Sequence, residues 1–329
     1  MHKRKTVVII LLLTVGGTVF AQSERETLRE RVENALSASY HMVSYDTLYV
    51  GRPESKLMLK VTGNLTGNTI SGKNSGEGYH THTHLSTKNR GTLSFDVSYY
   101  GLSAGFSLNP AQLKGHDQDF EVDINAFSNK YSLDFSYQKS KTLSGRITAN
   151  DESYYLDKSY LTMKIINMAG YYTFNHRRFS YAAPFTQAYT QKRSAGSWLA
   201  GFSFLGARIK TTNNVPENTP RTRINVANFA IGGGYGYNFV HRNWLFHASA
   251  LPTIIVYNST YVKYNDKKIN GKSQFPDMII NGRAALVYSF SPRYFVGSTY
   301  IVHSALFSNH HHKNRQEKWH GQVFFGLRL

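Results

Sequence analysis

The chain has 329 residues, 41% of them apolar, no cysteine and a formal net charge of +18. Without cysteine there is neither a disulfide framework nor a lipoprotein anchor, so packing and hydrogen bonding must supply the stability. The positive charge raises nucleic acid as a partner, but the Lys and Arg are scattered singly or cluster in loops with no nucleic-acid motif, and that class is set aside.

The N-terminus carries an export signal. His2-Lys3-Arg4-Lys5 is a basic region, Val7 to Leu13 an apolar one and Val19-Phe20-Ala21 a small-residue cleavage site, so residues 1–21 read as a signal peptide. Gly16, Gly17 and Thr18 end the apolar run well short of the ~20 residues a spanning helix needs. Residues 22–55 follow as a periplasmic segment. Ser23 and Glu26 have capping-box spacing, and Leu28, Val32, Ala35 and Leu36 share a helical face, predicting a short helix over 23–39. An extended lead-in completes it.

From residue 56 the periodicity changes to two. The first strand is predicted over about 56–68, with Leu57, Leu59, Val61 and Leu65 opposite Lys56, Lys60, Thr62 and Asn64. A long second strand over 79–99 sets Leu93, Phe95, Val97 and Tyr99 against Asp96 and Ser98, and a tight turn leads into the third. The fourth strand alternates Phe120, Val122, Ile124 and Ala126 with Asp119, Glu121, Asp123 and Asn125. The fifth alternates Tyr131, Leu133, Phe135 and Tyr137 with Ser132, Asp134, Ser136 and Gln138. Seven more are expected, near 160–174, 197–210, 222–239, 244–257, 277–290, 294–306 and 319–329. In the last, Trp319, Gly321, Val323, Phe325, Leu327 and Leu329 share a face.

Two further patterns favour a closed barrel. Tyr and Phe, 23 and 20 in number, suit the aromatic girdles of a membrane barrel. The gaps between strands alternate short and long, as periplasmic turns and outer loops do. A terminal strand of alternating character would pair with the first and abolish both edges. It also resembles the signal that barrel assembly machinery reads.

One gap breaks the alternation. Asn175 to Ser197 is too long and polar for a periplasmic turn, and carries Arg177, Arg178, Lys192 and Arg193. Unpaired charges in a narrow lumen are costly. The expectation is therefore that 175–196 inserts into the barrel and docks its cations on an acidic wall of Asp96, Asp119, Glu121, Asp123 and Asp134. This stretch resembles the hallmark of an uncharacterised family of outer-membrane barrels, the domain-of-unknown-function family numbered 4421. The matching positions are Asn175, Phe179, Ser180, Tyr181, Gln191, Lys192, Ser194, Ala195, Gly196 and Ser197. Further matches are Asp46 to Tyr49, Tyr99 to Leu102, Asn129 to Tyr131, Gly234 to Asn238 and Leu251-Pro252. The resemblance implies fold and location, and no activity.

Other motifs fit the barrel better than chemistry. His80, His82 and His84 are candidate metal ligands, but i, i+2 neighbours on a strand stand ~7 Å apart, too spread for one tetrahedral ion. Gly101-Leu102-Ser103-Ala104-Gly105 has the letters of a nucleophile elbow without its strand-to-helix turn. Gly232, Gly233, Gly234 and Gly236 lack the helix a dinucleotide site requires, but would let a second segment approach closely.

The expected architecture is thus an all-β, antiparallel up-and-down transmembrane barrel of about twelve strands in the outer membrane of a Gram-negative bacterium. Its lumen is partly occluded, and it needs no cofactor. Expected partners are outer-membrane lipid, including anionic outer-leaflet lipid, and the assembly machinery. The functional expectation is non-enzymatic passage or binding of a small solute or lipid. The alternatives are a lipid hydrolase or acyltransferase, against which no His and Ser pair on neighbouring lipid-facing positions is evident (a pair such as His247 with Ser249 stays open), and an envelope component acting through a protein partner.

Overall fold

The computed structural model describes residues 44–329 except 77–78, 100–101, 109–118, 214, 216–220, 265–266, 271–276 and 309–311, together with Glu30 and Asn34. Contacts divide the chain into Met1–Val43 and Ser44–Leu329. The expected signal peptide lies outside the described residues, as does the expected helix apart from Glu30 and Asn34, both helical. Among the described residues no helix is long and apolar enough to cross a membrane, which says nothing of strands.

The second unit is all-β and antiparallel. Its strands are β1 (Val50–Gly51), β2 (Leu57–Gly76), β3 (Tyr79–Ser86), β4 (Arg90–Tyr99), β5 (Leu102–Leu108) and β6 (Phe120–Phe127). They continue as β7 (Tyr131–Ser140), β8 (Ser144–Ala149), β9 (Glu152–Leu156), β10 (Leu161–Thr173), β11 (Thr190–Gln191) and β12 (Ala195–Thr211). The series ends with β13 (Thr222–His241), β14 (Trp244–Tyr264), β15 (Lys267–Asn270), β16 (Met278–Ser289), β17 (Tyr294–Ser308) and β18 (His312–Arg328). Every expected strand position carries a strand. The sheet runs β6-β7-β10-β12-β13-β14-β16-β17-β18-β2, and the final strand pairs with the first long one from His312↔Asn74 to Arg328↔Met58.

The alternation sorts side chains as expected. Leu59, Val61, Leu65, Leu93, Val97, Ile124 and Leu133 are exposed on the outward face, while Thr62, Thr66, Ser94, Ser98, Ser132, Asp134 and Ser136 are buried inside. Aromatics gather outward near the short turns, among them Tyr131, Trp198, Tyr235, Trp244, Tyr294 and Phe325.

The expected continuous second strand is instead two. It breaks at 87–89, where the Thr87 amide donates to the Asn68 carbonyl at 2.9 Å and the Thr87 hydroxyl accepts from the Asn68 amide at 3.1 Å. β2 therefore pairs with β4 through its first half and β3 through its second, and the wall forks. β4 goes on to β5, and β3 to β8. β8 is reached from β7 through a bend at 141–143. Asp119 holds that bend, its carboxylate accepting from the Ser140 hydroxyl and the Lys141 amide, both at 2.7 Å. Gly145 follows at φ 150, where a Cβ would stand 2.1 Å from the His84 carbonyl oxygen, so only glycine fits the seam. β8 and β9 then close on the two-residue turn Asn150-Asp151, both at positive φ.

The interior is filled in three layers. Near the outer loops Leu143, Met163, Ile165, Leu205, Ala230, Ile255 and Ile279 form an apolar cluster. The middle is a belt of polar side chains. Near the short turns a second apolar cluster contains Tyr171, Phe179, Tyr181, Phe185, Leu199, Leu251 and Ala285, and three of those are not on barrel strands.

Candidate functional site

Phe179, Tyr181 and Phe185 belong to the segment between β10 and β12 and are buried in one cluster with Tyr171, Leu199, Leu251 and Ala285 of the barrel strands. What the segment buries there is aromatic. Tyr181 stacks on Tyr171 at 5.7 Å between ring centroids and lies 5.6 Å from Phe185, which stacks on Phe127 at 5.5 Å. Aromatic contacts of this kind add about 0.5–1.5 kcal/mol each beyond area burial. Gly236 of β13 makes the room, for the Phe179 ring stands 3.1 Å from where its Cβ would lie.

The cations of the segment stay at its mouth. Arg177 and Arg178 are exposed, as are Lys192 and Arg193. Arg178 pairs with Asp46 at 3.3 Å, its guanidinium 5.2 Å from the Tyr49 ring, and Arg193 lies 5.9 Å from that ring. Lys192 Nζ donates to the Thr47 carbonyl at 3.1 Å. The lead-in thus receives the charges assigned above to the acidic wall. It also adds β1 to β11, with Val50 opposite Gln191. On this ledge Arg52 donates to the Tyr189 hydroxyl at 2.8 Å, and burial pushes the Tyr189 phenol up.

The acidic residues take their partners from the barrel instead. Lys318 of β18 reaches Glu121 at 2.6 Å and Asp123 at 2.9 Å, and donates to Ser136. Asp134 pairs with Arg283 of β16, and Asp96 with Lys60 at 3.8 Å. Asp119 clamps the 141–143 bend and is no part of a wall. The physical reason is reach. Strand-borne cations already face the carboxylates across a narrow lumen, and placing them there spares two sets of buried ions from lacking partners. Arg283 links the belt to the plug, its guanidinium 4.9–5.5 Å from the rings of Phe127, Tyr171, Tyr181 and Phe185.

The motif residues between the aromatics form the latch. Asn175 Nδ2 donates to the Gly196 carbonyl and the Asn175 amide to the Ser197 hydroxyl. Ser180 donates to Asn129 at 2.6 Å, and Ser194 accepts from the Val240 amide at 2.9 Å. Gln191 is the hub. Its Nε2 donates to the carbonyls of Arg178, Arg193 and Tyr49, and its Oε1 accepts from the Ser180 amide and from Asn238 Nδ2. Asn238 also donates to the Ser180 carbonyl at 2.8 Å. Since its Nδ2 is so engaged, its Oδ1 faces His247 Nδ1 at 2.7 Å and must accept. His247 Nε2 is left to accept from the Ser249 hydroxyl at 2.9 Å, and Ser249 in turn accepts from Tyr181 at 3.1 Å. One directed chain of hydrogen bonds therefore runs from the plug into the wall and back. Asn129, Asn238 and Tyr181 were legible as motif matches; their closure through His247 and Ser249 depends on the β13–β14 register.

His80, His82 and His84 are exposed along β3. Among the described residues no group of three metal-binding side chains converges.

A barrel whose short-turn mouth is stoppered by one of its own connections defines the class: a plugged antiparallel β-barrel. The chain belongs to the family described as a domain of unknown function, DUF4421, whose model matches residues 44–328. No curated protein matches it. Among solved structures it is similar to the outer membrane protease OmpT from Escherichia coli, at 7% identity and TM-score 0.44 over 88% of this chain and 100% of that one. It is also similar to the beta domain of the Bordetella autotransporter BrkA, at 11% identity and TM-score 0.32 over 84% and 100%. The outer membrane protein OprG from Pseudomonas aeruginosa aligns at 9% identity and TM-score 0.28 over 85% and 98%. No activity is carried over from any of these.

Proposed function

We propose that this protein resides in the outer membrane of a Gram-negative bacterium as a closed, non-enzymatic barrel that binds a small solute or lipid and is not an open diffusion pore. The outward apolar band with its aromatic girdle supports the membrane reading. The occupied lumen carries the functional one: apolar cluster, ion-paired belt and aromatic plug fill the described interior, and a cavity in the belt beside Asp123, His303 and Lys318 measures about 20 Å³. That is room for about one water. The test is single-channel recording of refolded protein in a planar bilayer, after a gel shift on heating has verified the folded barrel. Silence is expected, and steady ohmic openings would overturn the reading.

One observation favours a hydrolase as the second reading. Ser249, His247 and Asn238 have the spacing of a nucleophile, its base and the group that orients the base. Tyr181 roofs the serine, so this reading requires the plug to withdraw. A serine-directed fluorophosphonate that labels the folded protein, but not a Ser249→Ala variant, would establish it. Equal labelling of both, or none, would remove it.

A further inference from the structure

Outside the lumen, the loop end of the wall carries a second candidate site. Two successive outward rows cross β17, β18, β2, β3 and β8. The upper row reads Ser308–Lys313–Lys73–His82–Thr148, and the lower Leu306–Arg315–Ser71–His84–Arg146. Neighbouring positions of opposite parity, Ile70, Leu85, Ile147 and Phe307, pack on the interior cluster, which fixes these rows as outward. Lys73, Lys313, Arg146 and Arg315 are exposed there with His82 and His84.

The rows line a cleft of about 550 Å³, and among the described residues no carboxylate lines it. Glu317, in the next outward row, pairs with Arg315. Lys73 sits directly opposite Lys313 on one side and His82 on the other. Like charges in directly opposed positions destabilise a sheet, because their Cβ atoms are only about 5 Å apart. An anion bridging them converts that repulsion into attraction. Height identifies the source of the anion. The stacked Tyr300–Trp319 pair lies four residues from Arg315 toward the short turns, about 13 Å along the strand. Such aromatics mark the level where apolar lipid meets headgroup, and the basic rows stand just above it.

We infer that this cleft binds the phosphates of an anionic, phosphorylated glycolipid of the outer leaflet, with Lys73, Lys313 and Arg146 as the principal contacts. Leu306, and the Tyr300–Trp319 pair beyond the polar row of Ser304, Glu317 and Thr69, would lie along its acyl chains. The inference rests on the outer-membrane orientation proposed above but not on the closed lumen, so lipid binding and conductance can fail separately.

The experiment is native mass spectrometry of the folded protein in detergent with bisphosphorylated lipid A, its dephosphorylated analogue or inorganic phosphate. Bisphosphorylated lipid A should bind, more weakly as salt rises, and the dephosphorylated analogue at least tenfold less well. A Lys73→Gln/Arg146→Gln/Lys313→Gln variant should lose at least tenfold in affinity. Lys73→Glu is the companion variant, because it places opposite charges across from each other and so favours folding while opposing phosphate. Lipid affinity unchanged in Lys73→Glu, or equal for the two lipids, would overturn the inference. Inorganic phosphate binding as tightly as the lipid would overturn the lipid assignment and make free phosphate the ligand.

Discussion

Gln191 shows how much a single buried amide can organise. It satisfies three carbonyls and accepts two donors, tying the lead-in, the plug and β13 together. Replacing it with Ala removes this partner from the Ser180 amide and the Arg178 and Arg193 carbonyls, at about 1–3 kcal/mol for each one that water cannot reach, while the Tyr49 carbonyl keeps the Lys192 amide and Asn238 keeps the Ser180 carbonyl. Gln191→Ala is therefore expected to loosen the plug while leaving the barrel folded. Hydrogen exchange should rise within 175–194 but not in β16–β18, and unchanged exchange of the plug would refute the hub role. The neighbouring cations give a contrasting lesson. Arg177, Arg178, Lys192 and Arg193 look like docking charges in a list of residues, yet exposed side chains of this kind contribute little. The apolar half of the same motif does the docking.

At the scale of elements, the plug and the fork are the two departures from a plain up-and-down wall. Both arise where a strand's hydrogen-bonding edge is handed to an unexpected neighbour. β11 takes β1 from the lead-in, and the outer half of β2 takes β3, which passes the edge to β8. The second exchange hinges on Gly145. Gly145→Ala would bring a Cβ against the His84 carbonyl at a φ that alanine rarely adopts, a strain of about 1–3 kcal/mol. The expected result is faster hydrogen exchange in β3, β8 and β9 with β12–β14 unaffected, and protection equal to the parent protein would show that the seam tolerates a side chain. No periodicity marks this exchange, since β8 is short and its partner lies some 60 residues back in the chain. The two-residue Asn150-Asp151 turn was its one local signal.

For the whole molecule, Lys318 is a contact that ties the β6 end of the wall across the lumen to the last strand. It lies on the last strand and bonds to carboxylates of β6, which has no neighbour beyond β7 in the sheet order. Lys318→Ala should cost up to about 3–5 kcal/mol, because the buried Glu121 carboxylate would be left with the longer Arg90 contact at 4.0 Å and the partly exposed Asp123 would lose its ion pair. The triple variant Lys318→Met/Glu121→Gln/Asp123→Asn should lose much less. The heating temperature at which the folded band disappears on a gel compares them, and equal losses would mean that the charges are dispensable.

Period two, punctuated by Ser-Asn-Lys, His-Arg-Asn and Ser-Pro-Arg turns, was enough to determine the expected strand positions, which face of each is apolar and the pairing of last with first; the family followed from the motif resemblance around Asn175–Ser197. Those properties are local or follow from alternation, and so are written residue by residue. The tertiary structure alone decided which cation answers which carboxylate, that the plug enters by its aromatics, that the second strand forks, and that His247 and Ser249 complete the latch. Each of these is a contact between residues tens to hundreds apart. A closed lumen sets such partners through strand register and reach, neither of which is visible along the chain.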